Sequence, residues 1–201
     1  MMTTYIALLR GINVGGNRII KMAELKNVLE ALGLKDVKTY IQSGNVLFRS
    51  DDDAVNIPVQ IEKEINRVWG FDVPVVLRSA KELEQLIKNC PFSDEEIKTA
   101  EQASGKESLY ISFMANAPSP EKIQSLKPYE NEKESYHVIG REVFLLFRDS
   151  IRNSKLANNL HRLDAHSTVR NSKTVKKLLE LAMEMEASKT RKVNALGTND
   201  I

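Results

Sequence analysis

Several things are scarce in this chain of 201 residues. It has one cysteine, one tryptophan, three histidines and no run of eighteen apolar residues. The lone Cys90 has no partner for an internal disulfide, which points to a reducing compartment. It stands before Pro91 in no setting that activates a thiol, so a nucleophilic role is not expected. Without a long apolar run no helix can span a bilayer, and no membrane partner is expected. The N-terminus enters an apolar strand pattern at once, with no basic region and small-residue cleavage site, which argues against a secretory signal. Cytoplasm is the expected location. Excess charge is scarce too. Lys and Arg number 29 against 27 Asp and Glu, a net of +2 that does not by itself advertise a nucleic-acid partner. From Ser150 onward there are ten cations against five anions, leaving nineteen against twenty-two before it. The positive excess is therefore C-terminal, in "VRNSKTVKK" and "SKTRKV".

What is present reads as one plan used twice. "TYIALL" is a short apolar run ended by Arg10-Gly11, a buried strand. Met22, Leu25, Val28, Leu29 and Leu32 recur at helical spacing, with Gly33 closing the helix. "VKTYIQ" and "NVLFRS" are strands around the turn Ser43-Gly44-Asn45. Ile57, Ile61, Ile65, Val68 and Trp69 mark a second helix, ended by Gly70, and "VPVVLR" is a fourth strand. A linking helix carries Leu83, Leu86 and Ile87. The order then restarts: "SLYISFM", the short helix "SPEKIQSL", a hairpin of "SYHVI" and "EVFLLF" across Gly140-Arg141, and two helices in "SKLANNLHRL" and "SKTVKKLLELAM". No second fourth strand is evident.

The expected fold is therefore α+β, with two ferredoxin-like βαββαβ subdomains packed into one body and the second incomplete or rearranged. Residues 1–90 form the first with its linking helix, 91–107 a polar linker, and 108–186 the second with its C-terminal helices. Residues 187–201 form a tail expected to be disordered. "YIALL" and "VFLLF" are apolar throughout, which requires cover on both faces of each sheet.

The stretch "RGINVGGN" raises the question of a phosphate loop. Gly11 and Gly16 have the spacing of G-x-x-x-x-G-K-[ST], but Asn17 and Arg18 stand where the lysine and hydroxyl belong. A nucleotide triphosphatase is not expected. Right-handed crossovers nevertheless bring the loop after strand one and the turn after strand two to the same end of the sheet. At that end Arg10, Arg18, Asn13, Asn17, Gln42, Ser43 and Asn45 offer donors, while Gly11, Gly15, Gly16 and Gly44 permit close backbone approach. This composite suits a small anionic molecule. A plain connection, with Asn side chains bonding their own backbone, is the competing reading. Arg170 and Asn171 are candidates to complete the site from the C-terminal segment. No cofactor is assigned, and oligomeric state is left open.

Other constellations are weaker. His161 and Asp164 share a helical spacing, but His166 lies beyond the helix, so no metal is assigned. Tyr5 and Phe48 fall on the strands that stack bases in RNA-recognition folds, yet their neighbours are apolar, as in a core. Nucleic-acid binding through the basic C-terminal helix and tail is the alternative function, with an interaction module the third.

"YIALLRGINVGGNRIIKMAELKNVLEALGLKDVKTYIQSGNVLF" resembles the opening of the bacterial domain-of-unknown-function family numbered 1697. "TVRNSKTVKKLLELA" is similar to that family's late element, in which R-N-W-N-T is usual. Arg170, Asn171 and Thr174 match, and Ser172-Lys173 replaces the Trp-Asn pair. The resemblance implies two tandem ferredoxin-like subdomains and no established activity.

Overall fold

A computed structural model describes residues 2–196, the side chains only as far as 188. The chain divides into two compact units, Met1–Gln85 with Lys176–Ile201, and Leu86–Val175. In the first unit β1 (Thr3–Leu9), α1 (Met22–Ala31), β2 (Lys35–Tyr40), β3 (Asn45–Ser50), α2 (Asn56–Trp69) and β4 (Val75–Ser79) follow the expected order. The sheet runs β2-β3-β1-β4 with every neighbouring pair antiparallel. β1 and β2 are therefore parallel with β3 between them, as a split βαβ unit requires.

Side-chain alternation explains how the strands are buried. Ala7 and Leu9 of β1, with Val46, Phe48, Val75 and Leu77, face one side. There they pack with Leu25 and Leu29 of α1 and Ile57, Ile61 and Ile65 of α2. The four-residue spacing in α2 puts its isoleucines on one stripe. Gly70 ends that helix at φ +76°, donating its N–H to Asn66 O at 2.8 Å. Ile6, Leu8 and Leu47, which alternate to the other face, are just as fully buried. Both faces of β1 and β3 are covered, as the unbroken apolar run of β1 requires. Phe48 is wholly buried and Tyr5 is packed against the same core, 6.0 Å from it between ring centroids. Both rings contribute to the core.

α3 (Ala80–Lys88) crosses the division between the units. The second unit continues with α4 (Asp94–Ser104), β5 (Leu109–Phe113), α5 (Pro120–Gln124), β6 (Glu134–Ile139), β7 (Glu142–Phe147), α6 (Lys155–Asn159) and β8 (Thr168–Asn171). Its sheet runs β6-β7-β5-β8, again antiparallel, and so repeats the first topology strand for strand. Met114, Val143, Leu145, Phe147, Leu156, Leu160 and Leu163 form the core of one face. The crossovers are rearranged, each being a five-residue helix beside a 3-10 turn in place of a long helix.

The second subdomain, expected to be incomplete or rearranged, is rearranged, and β8 is the fourth strand of its sheet. β8 escapes sequence reading because its inward positions are Thr168 and Arg170, so the buried face shows no apolar pattern. Two expectations need correction. The stretch read as a linker at 91–107 contains α4, which belongs to the second unit. Only Ala100 of that helix is buried, which leaves almost no periodic signal. The tail read as disordered from 187 is helical as far as Leu196, since α7 (Ser172–Leu196) continues past Met185, the last buried side chain among those described. Residues 197–201 lie outside those described.

The part of α7 in the first unit is fastened by a buried arginine. Arg49 donates to Asp36 Oδ2 at 2.6 Å, to the carbonyl of Met185, and to Ser188 Oγ at 3.1 Å. Among the described residues no helix is long and apolar enough to cross a membrane.

Candidate functional site

β1 ends at Leu9 and β2 at Tyr40, so their following loops emerge together. Three contacts join them, and a fourth ties the first loop to the segment before β4. Leu9 N–H donates to Gly44 O at 2.8 Å and Arg10 N–H to Pro74 O at 2.9 Å. Asn13 Nδ2 donates to Gln42 O at 2.8 Å, and Gly44 sits so close to Leu9 that a Cβ there would lie 2.8 Å from Leu9 Cβ. The connection before β4 reaches the same end through Pro74. The topology thus brings together the 10–18 loop, the 42–45 turn and the segment before β4.

The loop is itself a miniature hairpin. Asn17 N–H donates to Val14 O and Asn13 N–H to Arg18 O, each at 3.1 Å. Gly15 and Gly16 at its tip have φ of +58° and +77°. Two positive φ values in a two-residue turn define the type I′ hairpin that Gly-Gly favours. Half of the phosphate-loop spacing is therefore explained by turn geometry. No atom outside the turn lies within 4 Å of where a Cβ on either tip glycine would stand.

The asparagines divide by role. Asn13, held at φ +56°, accepts from Ile20 N–H at 2.8 Å and donates to Ile20 O at 3.0 Å as well as to Gln42 O. Its amide is committed to backbone. Asn45 is fully buried and donates to Tyr40 O at 3.1 Å and Ser43 Oγ at 3.0 Å, which closes the turn. Asn17 is exposed at the hairpin. Arg18 is exposed and Arg10 half-buried, and among the described residues neither is paired with a carboxylate. Arg18 folds back over Gly11, its Nη1 3.7 Å from where a Cβ on that glycine would stand.

Sequence reasoning passed over two groups at this end. Lys177, on the stretch of α7 in the first unit, pairs with Glu180 at 2.9 Å, and that bond raises its pKa, with a smaller contribution from Tyr40. The signal for it was the basic helix, assigned to another function. The second group is the exposed aliphatics Val14, Ile19 and Ile41. Their signal was apolar side chains within a polar loop.

Arg170 and Asn171 belong to the second unit. Arg170 is buried and donates to Thr168 Oγ1 at 2.7 Å and Val169 O at 2.9 Å. Burial pushes its guanidinium down to about 10, so it remains charged at neutral pH. Asn171 Oδ1 accepts from Thr174 N–H at 2.8 Å and so caps α7. Elsewhere, Asp164 gives its oxygens to the N–H groups of Ala115 and His166. Among the described residues no three His, Cys, Asp or Glu side chains are grouped to hold a metal ion.

The family described as "Protein of unknown function (DUF1697)" matches residues 2–144, which include the hairpin loop, the turn and both sheets as far as β7. The chain belongs to that family. It is also similar to a solved structure, "The structure of conserved bacterial protein SP0830 from Streptococcus pneumoniae". The two are 28% identical, with a TM-score of 0.70 over 90% of this chain and 99% of that one. Among curated proteins none matches.

Proposed function

We propose that this family member binds a small anionic molecule at the loop end of its first unit. Arg10 and Arg18 supply the positive charge, Asn17 and the neighbouring backbone N–H groups supply direction, and the Gly-Gly hairpin keeps the approach open. The observation that carries the reading is the Asn13 lock. An amide that joins the 10–18 loop to Gln42 fixes the backbone beneath two arginines that no carboxylate neutralises among the described residues. Such prior ordering lowers the entropic cost of binding. Among the described residues the N–H groups of Gly11, Gly15 and Gly16 donate no hydrogen bond within the chain, so they are free to meet an anion.

The test is a thermal-shift screen with nucleotides, sugar phosphates, phosphorylated cofactors and short nucleic acids at two salt concentrations. A ligand present at a hundred times its Kd adds about 2.7 kcal/mol, or roughly 5–10 °C for a chain of this size. A shift from one small anion that disappears in Arg10→Ala or Arg18→Ala supports the reading. A flat response from every small anion removes it. A shift only from nucleic acid, falling steeply with salt, favours the basic C-terminal helix instead.

A further inference from the structure

Eight large hydrophobic side chains are strongly exposed among the described residues, and five of them, all aliphatic, fall at the two ends of the first sheet. The register fixes those ends, with Leu8 opposite Asn45 at one and Thr3 opposite Ser50 at the other. The six residues of β3 hold them roughly 20 Å apart. At the loop end stand Val14, Ile19 and Ile41, exposed by 65%, 64% and 50%. At the far end, just after β3, stand Val55 and Val59, exposed by 76% and 48%. Scattered exposed aliphatics need no explanation, but two groups at opposite poles of one sheet do.

Among the described residues each group is set among charges of one prevailing sign. Beside the loop-end aliphatics are Arg10 and Arg18, while Lys21 is paired with Glu24 and Asp72 accepts from Asn66. Beside Val55 is the run Asp51, Asp52 and Asp53, all exposed. Asp53 Oδ1 caps the Val55 N–H, whereas the carboxylates of Asp51 and Asp52 have no cationic partner among the described residues. Lys35 begins β2 at that end, next to Asp36, which Arg49 holds.

We infer that the loop end of one copy docks on the Asp51–Val59 end of a second copy, a head-to-tail contact of aliphatics ringed by Arg–Asp pairs. Two different patches joined this way make a heterologous interface, which repeats from copy to copy unless it closes into a ring. Charge complementarity selects the pairing, since like ends repel. The contact does not depend on the small-ligand reading, although both use Arg10 and Arg18. A bound anion would compete with the incoming aspartates.

Sedimentation velocity over a range of protein concentrations tests this at about 0.1 M and about 1 M salt, where the screening length falls from roughly 10 Å to roughly 3 Å. The wild type is expected to gain mass with concentration and to lose most of that gain at high salt. Arg10→Glu with Arg18→Glu makes both ends acidic, and Asp51→Lys with Asp52→Lys makes both ends basic. Each variant alone is expected to stay monomeric. An equimolar mixture restores association, because every acidic end then meets a basic one. Val14→Ser with Ile19→Ser should abolish it without changing a charge. A wild type that stays monomeric throughout overturns the inference, and so does a mixture that fails to recover. The Asp51→Lys, Asp52→Lys variant keeps its loop end intact. A shift with a small anion in that variant reports on the ligand reading alone, so the two fail separately.

Discussion

Asn13 Nδ2 lies 2.8 Å from the carbonyl oxygen of Gln42, joining two loops 29 residues apart in the chain. The same amide brackets Ile20, accepting from its N–H and donating to its carbonyl, so one side chain serves three backbone groups. Asparagine is suited to this post twice over. It has a donor and an acceptor on one planar group, and it tolerates the positive φ of +56° that the loop imposes.

Asn13→Ala is therefore expected to destabilise the chain by about 2–4 kcal/mol, from the lost hydrogen bonds and the left-handed backbone together. Asn13→Gly separates the two causes, since it removes the bonds but accepts the φ. Its loss should be smaller by about 1 kcal/mol. Denaturant midpoints with unchanged slopes would check both. Equal losses would mean that the φ costs nothing.

Four glycines of the site have positive φ, yet they differ in what surrounds them. At Gly44 a Cβ would lie 2.8 Å from Leu9 Cβ and 3.1 Å from two carbons of Ile12. Leu9 is anchored in β1, so Gly44→Ala is expected to cost about 2–4 kcal/mol in overpacking and backbone strain. Gly15→Ala or Gly16→Ala meets nothing within 4 Å and should cost about 1 kcal/mol, from the φ alone. Thermal melts of the three variants should rank in that order.

These residues show how far the sequence could be read. The first unit was legible because its strands and helices carry apolar runs at periods of two and 3.6, and a βαββαβ order admits few right-handed arrangements. The meeting of the 10–18 loop with the 42–45 turn followed from that topology alone. Side-chain roles did not. Gly15-Gly16 has the chemistry of a phosphate loop and of a type I′ turn alike, and only the Asn17–Val14 bond distinguishes them. Asn13, read as a ligand-orienting group, is bonded to backbone, and Asn45, read the same way, is bonded to Tyr40 O and Ser43 Oγ within its own turn. β8 and α4 were hidden for a shared reason: one buries polar side chains, and the other buries little beyond an alanine.

α4 did carry one local signal, S-x-x-E at Ser93 and Glu96. Glu96 accepts from both the N–H and the Oγ of Ser93 at 2.8 Å, while Ser93 Oγ accepts from Glu96 N–H at 3.2 Å. The Ser93 backbone bond first, and then the side-chain bond, hold the Glu96 carboxyl below its usual range. A lowered folded-state pKa adds stability that is present above the unfolded pKa and is lost as pH falls through the folded one. Ser93→Ala should cost about 1 kcal/mol at neutral pH. Glu96→Gln should also be less stable there, and its midpoint should converge on that of the wild type as pH drops below about 4. A gap between the two that persists in acid would show that the carboxylate charge is not the source.

Ile41 presents the opposite case, a residue unsuited to its place. It is β-branched, 50% exposed, and held at φ +47° in the turn after β2. A left-handed conformation costs such a side chain about 1–2 kcal/mol, and half of the apolar surface stays in water. Asparagine adopts this conformation readily and hides no aliphatic group. Ile41→Asn is therefore expected to raise stability by about 1 kcal/mol, or roughly 2–4 °C. The same substitution should weaken the concentration-dependent gain in mass, since it removes one of the three aliphatics at the loop end. A strained, exposed aliphatic that adds nothing to the core fits a surface used for binding. Were Ile41→Asn to lower the melting temperature, the strain would be absent and this turn would lose its claim to be a binding surface.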